Sequence, residues 1–135
     1  MLDLSHVNVF AILVASVAGM AVGFAWYSNL LFAKAWTKLA STKMGENSTN
    51  PFLYVLNFII YLIICFSLSQ LLFYFDISGL WAGIAVGLFA FVGFAGATAF
   101  TENLFSGRSW KLFAINYGYQ LVNLVVMGAI LSLWR

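Results

Sequence analysis

The sequence contains four long runs in which no residue carries a formal charge. The runs are Leu4–Ala33, Asn47–Phe75, Ile77–Thr101 and Leu112–Trp134, with lengths of 30, 29, 25 and 23 residues. A helix rises about 1.5 Å per residue, so about 20 apolar residues cross the hydrocarbon core of a bilayer. Each run is therefore long enough to span a membrane.

The composition excludes most soluble classes of protein. Apolar residues make up 64% of the chain and charged residues 7%, against roughly 45–50% and about 25% in an average soluble domain. So few charges do not cover the surface of a soluble globule. We therefore exclude a soluble enzyme, a nucleic-acid-binding protein and a disordered tail. We predict one integral membrane domain over residues 1–135, in contact with the lipid bilayer.

The runs predict helices rather than barrel strands. Only helices and closed barrels satisfy every backbone group in lipid, and these runs are continuously apolar without the alternation of a barrel strand. We predict an all-α four-helix transmembrane bundle with spans near Val7–Phe32, Phe52–Phe75, Gly79–Thr101 and Trp110–Trp134. Asn50-Pro51 and Ser109 are typical of helix N-termini. The short segment Asp76–Gly79 makes the second and third spans antiparallel neighbours.

The basic residues predict the orientation of the bundle. Lys and Arg are enriched in cytoplasmic loops. Five of them follow the first and third spans, namely Lys34, Lys38, Lys43, Arg108 and Lys111, whereas Arg135 stands on the opposite side. We therefore expect a protein of the bacterial inner (cytoplasmic) membrane with both termini outside. The first span follows Asp3 and is too long for a cleaved signal peptide, so it is expected to remain.

The chain contains a candidate internal repeat. The segment from Asn29 to Trp36 aligns without a gap on the segment from Asn103 to Trp110, and further along Asn57 falls on Asn116. This pattern predicts two helical hairpins related by a pseudo-twofold axis along the membrane normal. The alternative is shared interface chemistry, because Asn and Trp recur at the ends of membrane helices.

The start of the first loop has apolar residues at helical spacing. Phe32, Ala35, Trp36 and Leu39 share one face, and two lysines lie elsewhere. Three interpretations stay open: a continuation of the first span, a short amphipathic helix along the interface, or an ordinary basic loop.

Small residues predict where helices approach closely. Glycines at four-residue spacing let membrane helices come into backbone contact. We expect packing roles for Gly19 and Gly23 in the first span and for Gly79, Gly83, Gly87 and Gly93 in the third. A contact between these two spans within one chain is favoured over a contact between chains, because they are the paired members of the repeat.

Polar side chains inside the spans form the candidate site. They are Asn29, Asn57, Tyr61, Glu102, Asn103, Asn116, Tyr119, Gln120 and Asn123. Polar groups in the hydrocarbon region face the protein interior or a wet cavity. One interpretation is that they join helices by hydrogen bonds, and the other is a cytoplasm-facing cavity for a small polar solute or ion. Glu102 is expected to pair with Arg108, Lys111 or Lys34.

The sequence shows no catalytic constellation. No nucleophile–base pair, metal-ligand spacing or phosphate-binding loop is present, so we expect no enzymatic activity, no cofactor and no metal. The first hypothesis is a small membrane subunit that self-associates or joins a larger complex. The alternative is a transporter or channel for a small solute or ion, with the Asn57/Asn116 and Asn29/Asn103 pairs lining a site between spans two and four.

Several motifs resemble a known family. They are Gly23-x-x-Trp26-Tyr27-Ser28, Ala33-Lys34-Ala35-Trp36, the run from Leu104 to Arg108, the run from Lys111 through Asn116 to Gln120, and the run from Met127 to Trp134. Together they resemble the small bacterial and fungal membrane proteins named domain of unknown function 1761. The resemblance covers nearly the whole chain and implies a multi-span membrane protein, but no reaction and no ligand. Gln120 stands where members often have His, which argues against a titrating imidazole there.

Overall fold

A computed structural model of the chain describes residues 4–28, 31, 33–40 and 50–134. Every regular element within these ranges is a helix. In chain order they are α1 (Val9–Trp26), α2 (Ala33–Ala40), α3 (Pro51–Tyr74), α4 (Leu80–Ser106) and α5 (Trp110–Leu133). By length and composition, α1, α3, α4 and α5 are all able to cross a membrane. The predicted all-α architecture with four candidate spans is therefore confirmed.

The helix N-termini follow the capping signals of the sequence. The Asn50 side chain accepts a hydrogen bond from the Phe52 N–H at 3.0 Å, and Pro51 occupies the first turn of α3. Ser109 caps α5 by accepting from the Leu112 N–H at 3.5 Å. Asn8 also caps α1, where its side chain accepts from the Ala11 N–H. Each cap satisfies backbone donors that have no partner within the helix.

Two helices end away from the ends of the predicted spans. The first span was expected to reach Phe32, but α1 ends at Trp26, where the Ser28 hydroxyl donates to the Ala25 carbonyl at 2.7 Å. A hydroxyl that binds a terminal carbonyl competes with the next helical bond. The third span was expected to end at Thr101, but α4 continues to Ser106 and ends at Gly107. Gly107 has φ 70°, a left-handed conformation that glycine adopts without steric cost.

Both described ends of the chain lie at the same end of the bundle. The Asn8 side chain donates to the Trp134 carbonyl at 3.3 Å, and the Gly79 N–H donates to the Ser132 carbonyl at 3.4 Å. The start of α1, the α3–α4 turn and the end of α5 therefore meet there. At the opposite end, the Trp26 indole N–H donates to the Ile115 carbonyl at 2.8 Å. This opposite end carries α2 and the α4–α5 connection.

Helix α5 lies at the centre of the bundle and packs against α1, α3 and α4. Its buried residues on one face recur every fourth position, at Ile115, Tyr119, Asn123, Met127 and Leu131. This face meets small buried residues of α1, namely Ala11, Ala15, Ser16 and Gly19, and a buried row of α3, namely Tyr61, Cys65, Leu68 and Leu72. Small side chains on α1 allow the larger α5 side chains to fill the interface.

Helix α4 packs on another face of α5, through glycine. A Cβ atom at Gly83 would overlap Ser132 and the Gly128 carbonyl, and one at Gly87 would overlap the Leu124 carbonyl. The expected partner of this glycine ridge was the first span, and that is wrong. The contacts of Gly19 and Gly23 lie elsewhere, on Tyr61, Tyr119, Asn123 and Met127. Both glycine pairs therefore serve contacts with α5.

At Gly79 and Gly93, no other helix packs against the position of a Cβ atom within the described part of the chain. A Cβ atom at either position would meet no other heavy atom of the described chain within 4 Å. Gly79 instead precedes α4 with φ 99°, so its role is conformational. Gly93 lies in a π turn, Phe91–Ala95, within α4. A π turn accommodates an additional residue, which displaces the following positions from the face set by Gly83 and Gly87.

The helix packing does not have the two-fold symmetry that the candidate repeat predicts. A pseudo-twofold axis would exchange α1 with α4 and α3 with α5, so the α1–α5 and α3–α4 contacts would be equivalent. Instead α1 packs extensively on α5, whereas α3 and α4 barely touch. The internal repeat therefore stays a prediction from the sequence alone.

Candidate functional site

A central polar network joins α1 to α5. The Tyr119 hydroxyl donates to the Gly19 carbonyl at 3.4 Å and accepts from the Asn123 amide nitrogen at 3.2 Å. Both side chains are buried, with Tyr119 6% and Asn123 2% exposed. One hydroxyl thus acts as donor and acceptor at once, and it binds a backbone carbonyl of the neighbouring helix.

Helix α3 closes this central network from the other side. The Asn57 amide donates to the Met20 sulfur at 3.4 Å, and the Tyr61 hydroxyl lies beside the side chains of Asn57 and Asn123. The Asn123 carbonyl oxygen is buried without a hydrogen-bond partner in the described part of the chain. Four predicted site residues, Asn57, Tyr61, Tyr119 and Asn123, are therefore brought together in the core.

Asn116 belongs to a second group, which we call the aromatic latch (Trp26, Tyr27, Trp36 and Asn116). The Asn116 carbonyl oxygen accepts from the Tyr27 hydroxyl at 2.9 Å and from the Trp36 indole N–H at 3.0 Å. An indole only donates, so this contact fixes which way the Asn116 amide faces. The latch holds α2 against the start of α5, and α2 is a separate helix rather than a continuation of α1.

The aromatic rings of the latch also contact one another. Tyr27 stands edge-on to Trp36, with ring centroids 6.4 Å apart, and edge-on to Tyr119 at 5.4 Å. Edge-to-face pairs at such distances are favourable because the ring edge is positive and the face negative. The ring of Tyr119 therefore connects the latch to the central network.

A small cavity lies where α4 meets α5, and we call it the end cavity. Its volume is about 40 Å³, and its lining residues are Ala99, Glu102, Asn103, Ser106, Arg108, Leu112, Phe113, Asn116 and Tyr117. Asn103 is buried and donates to the Arg108 carbonyl at 3.4 Å, which holds the α4–α5 connection over the cavity. Three predicted site residues, Glu102, Asn103 and Asn116, thus line one cavity.

Glu102 does not form the expected ion pair. Within the described residues, its carboxylate has no salt bridge to Arg108, Lys111 or Lys34. Glu102 and Arg108 are both exposed at the cavity, where water competes for each charge. An exposed ion pair is only slightly more stable than two separately hydrated charges, so Glu102 and Arg108 have little reason to pair.

The remaining predicted residues lie apart from these groups. Gln120 is half-buried on α5 and does not line the end cavity. Asn29 lies outside the described residues. Among the residues that the structure describes, no group of three or more His, Cys, Asp or Glu side chains is placed to hold a metal ion.

Sequence reasoning missed several participants. It did not assign Trp26, Tyr27 or Trp36 to the site, although each donates a hydrogen bond to α5. It also missed Arg108 as a cavity residue. The sequence does not reveal these donors, because the acceptors on α5 lie about 80 to 90 positions away in the chain.

A family model described as "Protein of unknown function (DUF1761)" matches residues 10–132. The chain belongs to the DUF1761 family. The match reaches from α1 to the last turn of α5, so the central network, the aromatic latch and the end cavity all lie within the family region. The resemblance found in the sequence motifs is thereby confirmed. Comparison of this DUF1761 chain with curated proteins and with solved structures gave no match.

Proposed function

We propose that this DUF1761 protein is a non-enzymatic membrane subunit that self-associates in the bilayer. The observation that supports this proposal is an outward-facing row of small residues on the second half of α4. Gly93, Ala97 and Thr101 follow one another at four-residue spacing, and all three are exposed. Small residues on a lipid-facing surface lose little contact with lipid and allow a second helix to approach closely.

The buried half of α4 illustrates how such a row works. Gly83 and Gly87 have the same spacing, and there the backbones of α4 and α5 are in contact. After the π turn, α4 has far fewer contacts with α5. Within the described residues, the second row is therefore left without a partner helix, and a second copy of the chain is the partner that we propose.

The interior of the bundle supports a subunit more than a transporter. Asn57, Tyr61, Tyr119 and Asn123 lie together between α1, α3 and α5, as expected of polar groups that join helices. Tyr61, Tyr119 and Asn123 are buried, and Asn57 is half-buried. The end cavity is small, and neither Gln120 nor Asn123 lines it. A substrate pathway requires a cavity that continues along the polar residues of α5.

We also propose the orientation and the membrane. Lys34 and Lys38 on α2 lie at the same end of the bundle as Arg108 and Lys111, and the start of α1 and the end of α5 lie at the other. By the positive-inside rule, the basic end faces the cytoplasm of a bacterial inner membrane and both termini face outward.

The self-association proposal is tested by changing the exposed row. Gly93→Ile and Ala97→Ile place a branched side chain where we propose a helix contact, so the fraction of dimer in liposomes should fall at least tenfold. Single-molecule photobleaching of the labelled full chain counts the copies per complex. Ala95→Ile is the matched control for Ala97→Ile. It makes the same substitution at an exposed position two residues away, on another side of α4. Equal dimer fractions for all variants would refute the proposal.

The transport alternative has a separate test. The double variant Asn57→Leu and Asn116→Leu should abolish flux if these amides line a pathway. For a membrane subunit we expect two results. Reconstituted wild-type protein transports no tested solute or ion, and the dimer fraction falls in the Ala97→Ile variant.

A further inference from the structure

We infer that the end cavity binds a phosphate–ammonium zwitterion, the chemistry of a phosphoethanolamine group. The inference is independent of self-association, because it rests on the α4–α5 connection and not on the exposed row of α4. One wall comes from the end of α4, with Glu102 and Asn103, and the other from the start of α5, with Phe113 and Asn116. Arg108 lies in the connection between them.

The size of the end cavity suits a small polar group. Its volume is about 40 Å³, whereas one water molecule needs roughly 10–15 Å³ of such space. The cavity is partly open, so a headgroup can enter while the rest of its molecule stays outside. One part of the lining is apolar, with Ala99, Leu112 and Phe113, and the rest is polar.

The charges of the end cavity select the ligand. Glu102 and Arg108 both line it, and they do not pair with each other in the described structure. The carboxylate accepts hydrogen bonds from an ammonium group, and the planar guanidinium binds two phosphate oxygens at once. A simple anion would meet the repulsion of Glu102, and a simple cation that of Arg108. A zwitterion satisfies both charges.

Asn116 adds a directed donor to this site. Its carbonyl oxygen is engaged by Tyr27 and Trp36 in the aromatic latch, which leaves its amide nitrogen for the cavity. An amide N–H is a suitable donor to a phosphate oxygen. The latch therefore positions Asn116 for a ligand on the other side of its amide.

The surroundings of the end cavity are those of a membrane interface. Trp110 contacts Phe113 with ring centroids 5.5 Å apart, and Phe113 contacts Tyr117 at 4.9 Å. Aromatic residues concentrate at the level of lipid headgroups. Beside the cavity, Leu104 and Phe105 are 56% and 88% exposed, so the acyl chains of a bound phospholipid would meet apolar surface there. A phospholipid headgroup and a soluble phosphoethanolamine compound share the chemistry that we propose.

Native mass spectrometry of the delipidated full chain tests the inference. Phosphatidylethanolamine should bind at least tenfold more tightly than phosphatidylcholine, because a choline ammonium has no N–H to donate to Glu102. Equal binding of the two lipids would overturn the inference. Binding of soluble phosphoethanolamine is measured as a second experiment. If it binds as tightly as the lipid, the natural ligand is a soluble compound. If it binds more weakly, the natural ligand is the lipid headgroup.

Two exposed charges give the matched variants. Glu102→Gln should remove the preference for phosphatidylethanolamine over phosphatidylcholine, and Arg108→Gln should weaken binding of both lipids at least tenfold. Lys111→Gln removes the same charge as Arg108→Gln at a nearby exposed position that does not line the cavity, so it should leave binding unchanged. Loss of binding in Lys111→Gln equal to that in Arg108→Gln would mean a general surface charge effect, which contradicts a site in the cavity.

Discussion

The backbones of Gly83 in α4 and Gly128 in α5 are in direct contact, with no side chain between them. A Cβ atom at Gly83 would overlap the Gly128 carbonyl oxygen, and a Cβ atom at Gly128 would overlap the Gly83 carbonyl oxygen. The contact is therefore reciprocal. Gly87 extends it, since a Cβ atom there would overlap the backbone of Leu124. The helices are so close here that the glycine hydrogen atom fits between them, whereas the methyl group of an alanine would not.

We predict that Gly83→Ala and Gly128→Ala each destabilise the bundle. The added methyl group forces α4 and α5 apart, and such overpacking typically costs about 1–3 kcal/mol. Equilibrium unfolding of the full chain in mixed micelles with increasing dodecyl sulfate measures the change in free energy of unfolding.

Gly93→Ala is the control for this pair, with unfolding measured at an excess of detergent that keeps the chain monomeric, because Gly93 belongs to the proposed dimer row. It makes the same substitution in the same helix, at a position where a Cβ atom meets no described heavy atom within 4 Å. Its unfolding free energy should equal or slightly exceed that of the wild type, since alanine favours the helix more than glycine does. If all three variants unfold alike, the close α4–α5 contact is not what stabilises the bundle.

The sequence predicts elements of this fold better than it predicts their contacts. Length and charge placement identify four spans, and Asn50, Pro51 and Ser109 mark helix starts that the structure confirms. These features are local, because a cap depends on a few neighbouring residues. A span depends only on the thickness of the hydrocarbon core.

The residues of one helix do not show which other helix it packs against. Lipid is as apolar as leucine, so no amphipathic stripe marks the buried face of a helix, and small residues mark a contact without naming the other side. The ridge of Gly83 and Gly87 is expected to pack on the first span because the two spans are paired in the candidate repeat, whereas in the structure it packs on α5. Gly93 was placed in the same ridge because a π turn leaves no clear signal in one sequence.

The sequence predicts most residues of the candidate site but not how they are grouped. Spacing alone places Asn116, Tyr119, Gln120 and Asn123 on one face of α5. In the structure Tyr119 and Asn123 join the central network, Asn116 joins the aromatic latch, and Gln120 lies apart from both. The division between the network, the latch and the cavity depends on which helix faces each residue. Tyr27 and Trp36 determine the role of Asn116, and they lie about 80 to 90 positions away in sequence.

We predict that Tyr119→Phe weakens the bundle through the central network. The variant removes a donor to the Gly19 carbonyl and leaves the Asn123 amide without its acceptor, while the ring stays in place. Hydrogen bonds between membrane helices are worth about 0.6 kcal/mol on average and up to about 1.7 kcal/mol. The expected loss in unfolding free energy lies in this range.

Tyr117→Phe is the matched control for Tyr119→Phe. It makes the same change two residues away on α5, at a half-buried side chain for which the described structure gives no hydrogen bond. Its unfolding free energy should stay within about 0.5 kcal/mol of the wild type, as is usual for changes away from a buried interaction. A loss as large as that of Tyr119→Phe would contradict a specific contribution of the Tyr119 hydroxyl contacts to stability.

We predict that Trp36→Phe releases α2 from the bundle. Phenylalanine keeps an aromatic ring but has no N–H to donate to Asn116, which leaves Tyr27 as the remaining donor to that oxygen. Amide hydrogen exchange in α2 should become faster, and exchange in the core of α3 should not change. Trp110→Phe serves as the control, because Trp110 makes ring contacts in the described structure but no hydrogen bond to Asn116. Unchanged exchange in α2 would show that the latch does not hold this helix.

The last prediction concerns the two faces of the membrane. In a Cys65→Ala background, the variants Lys38→Cys and Leu80→Cys each place one thiol at an exposed position, at opposite ends of the bundle. With the basic end in the cytoplasm, an impermeant maleimide added to intact spheroplasts should label the Leu80→Cys variant. It should label the Lys38→Cys variant only after the membrane is opened. The reverse pattern would contradict the proposed orientation, and labelling of both variants from outside would contradict the crossing of a bilayer between α2 and α4.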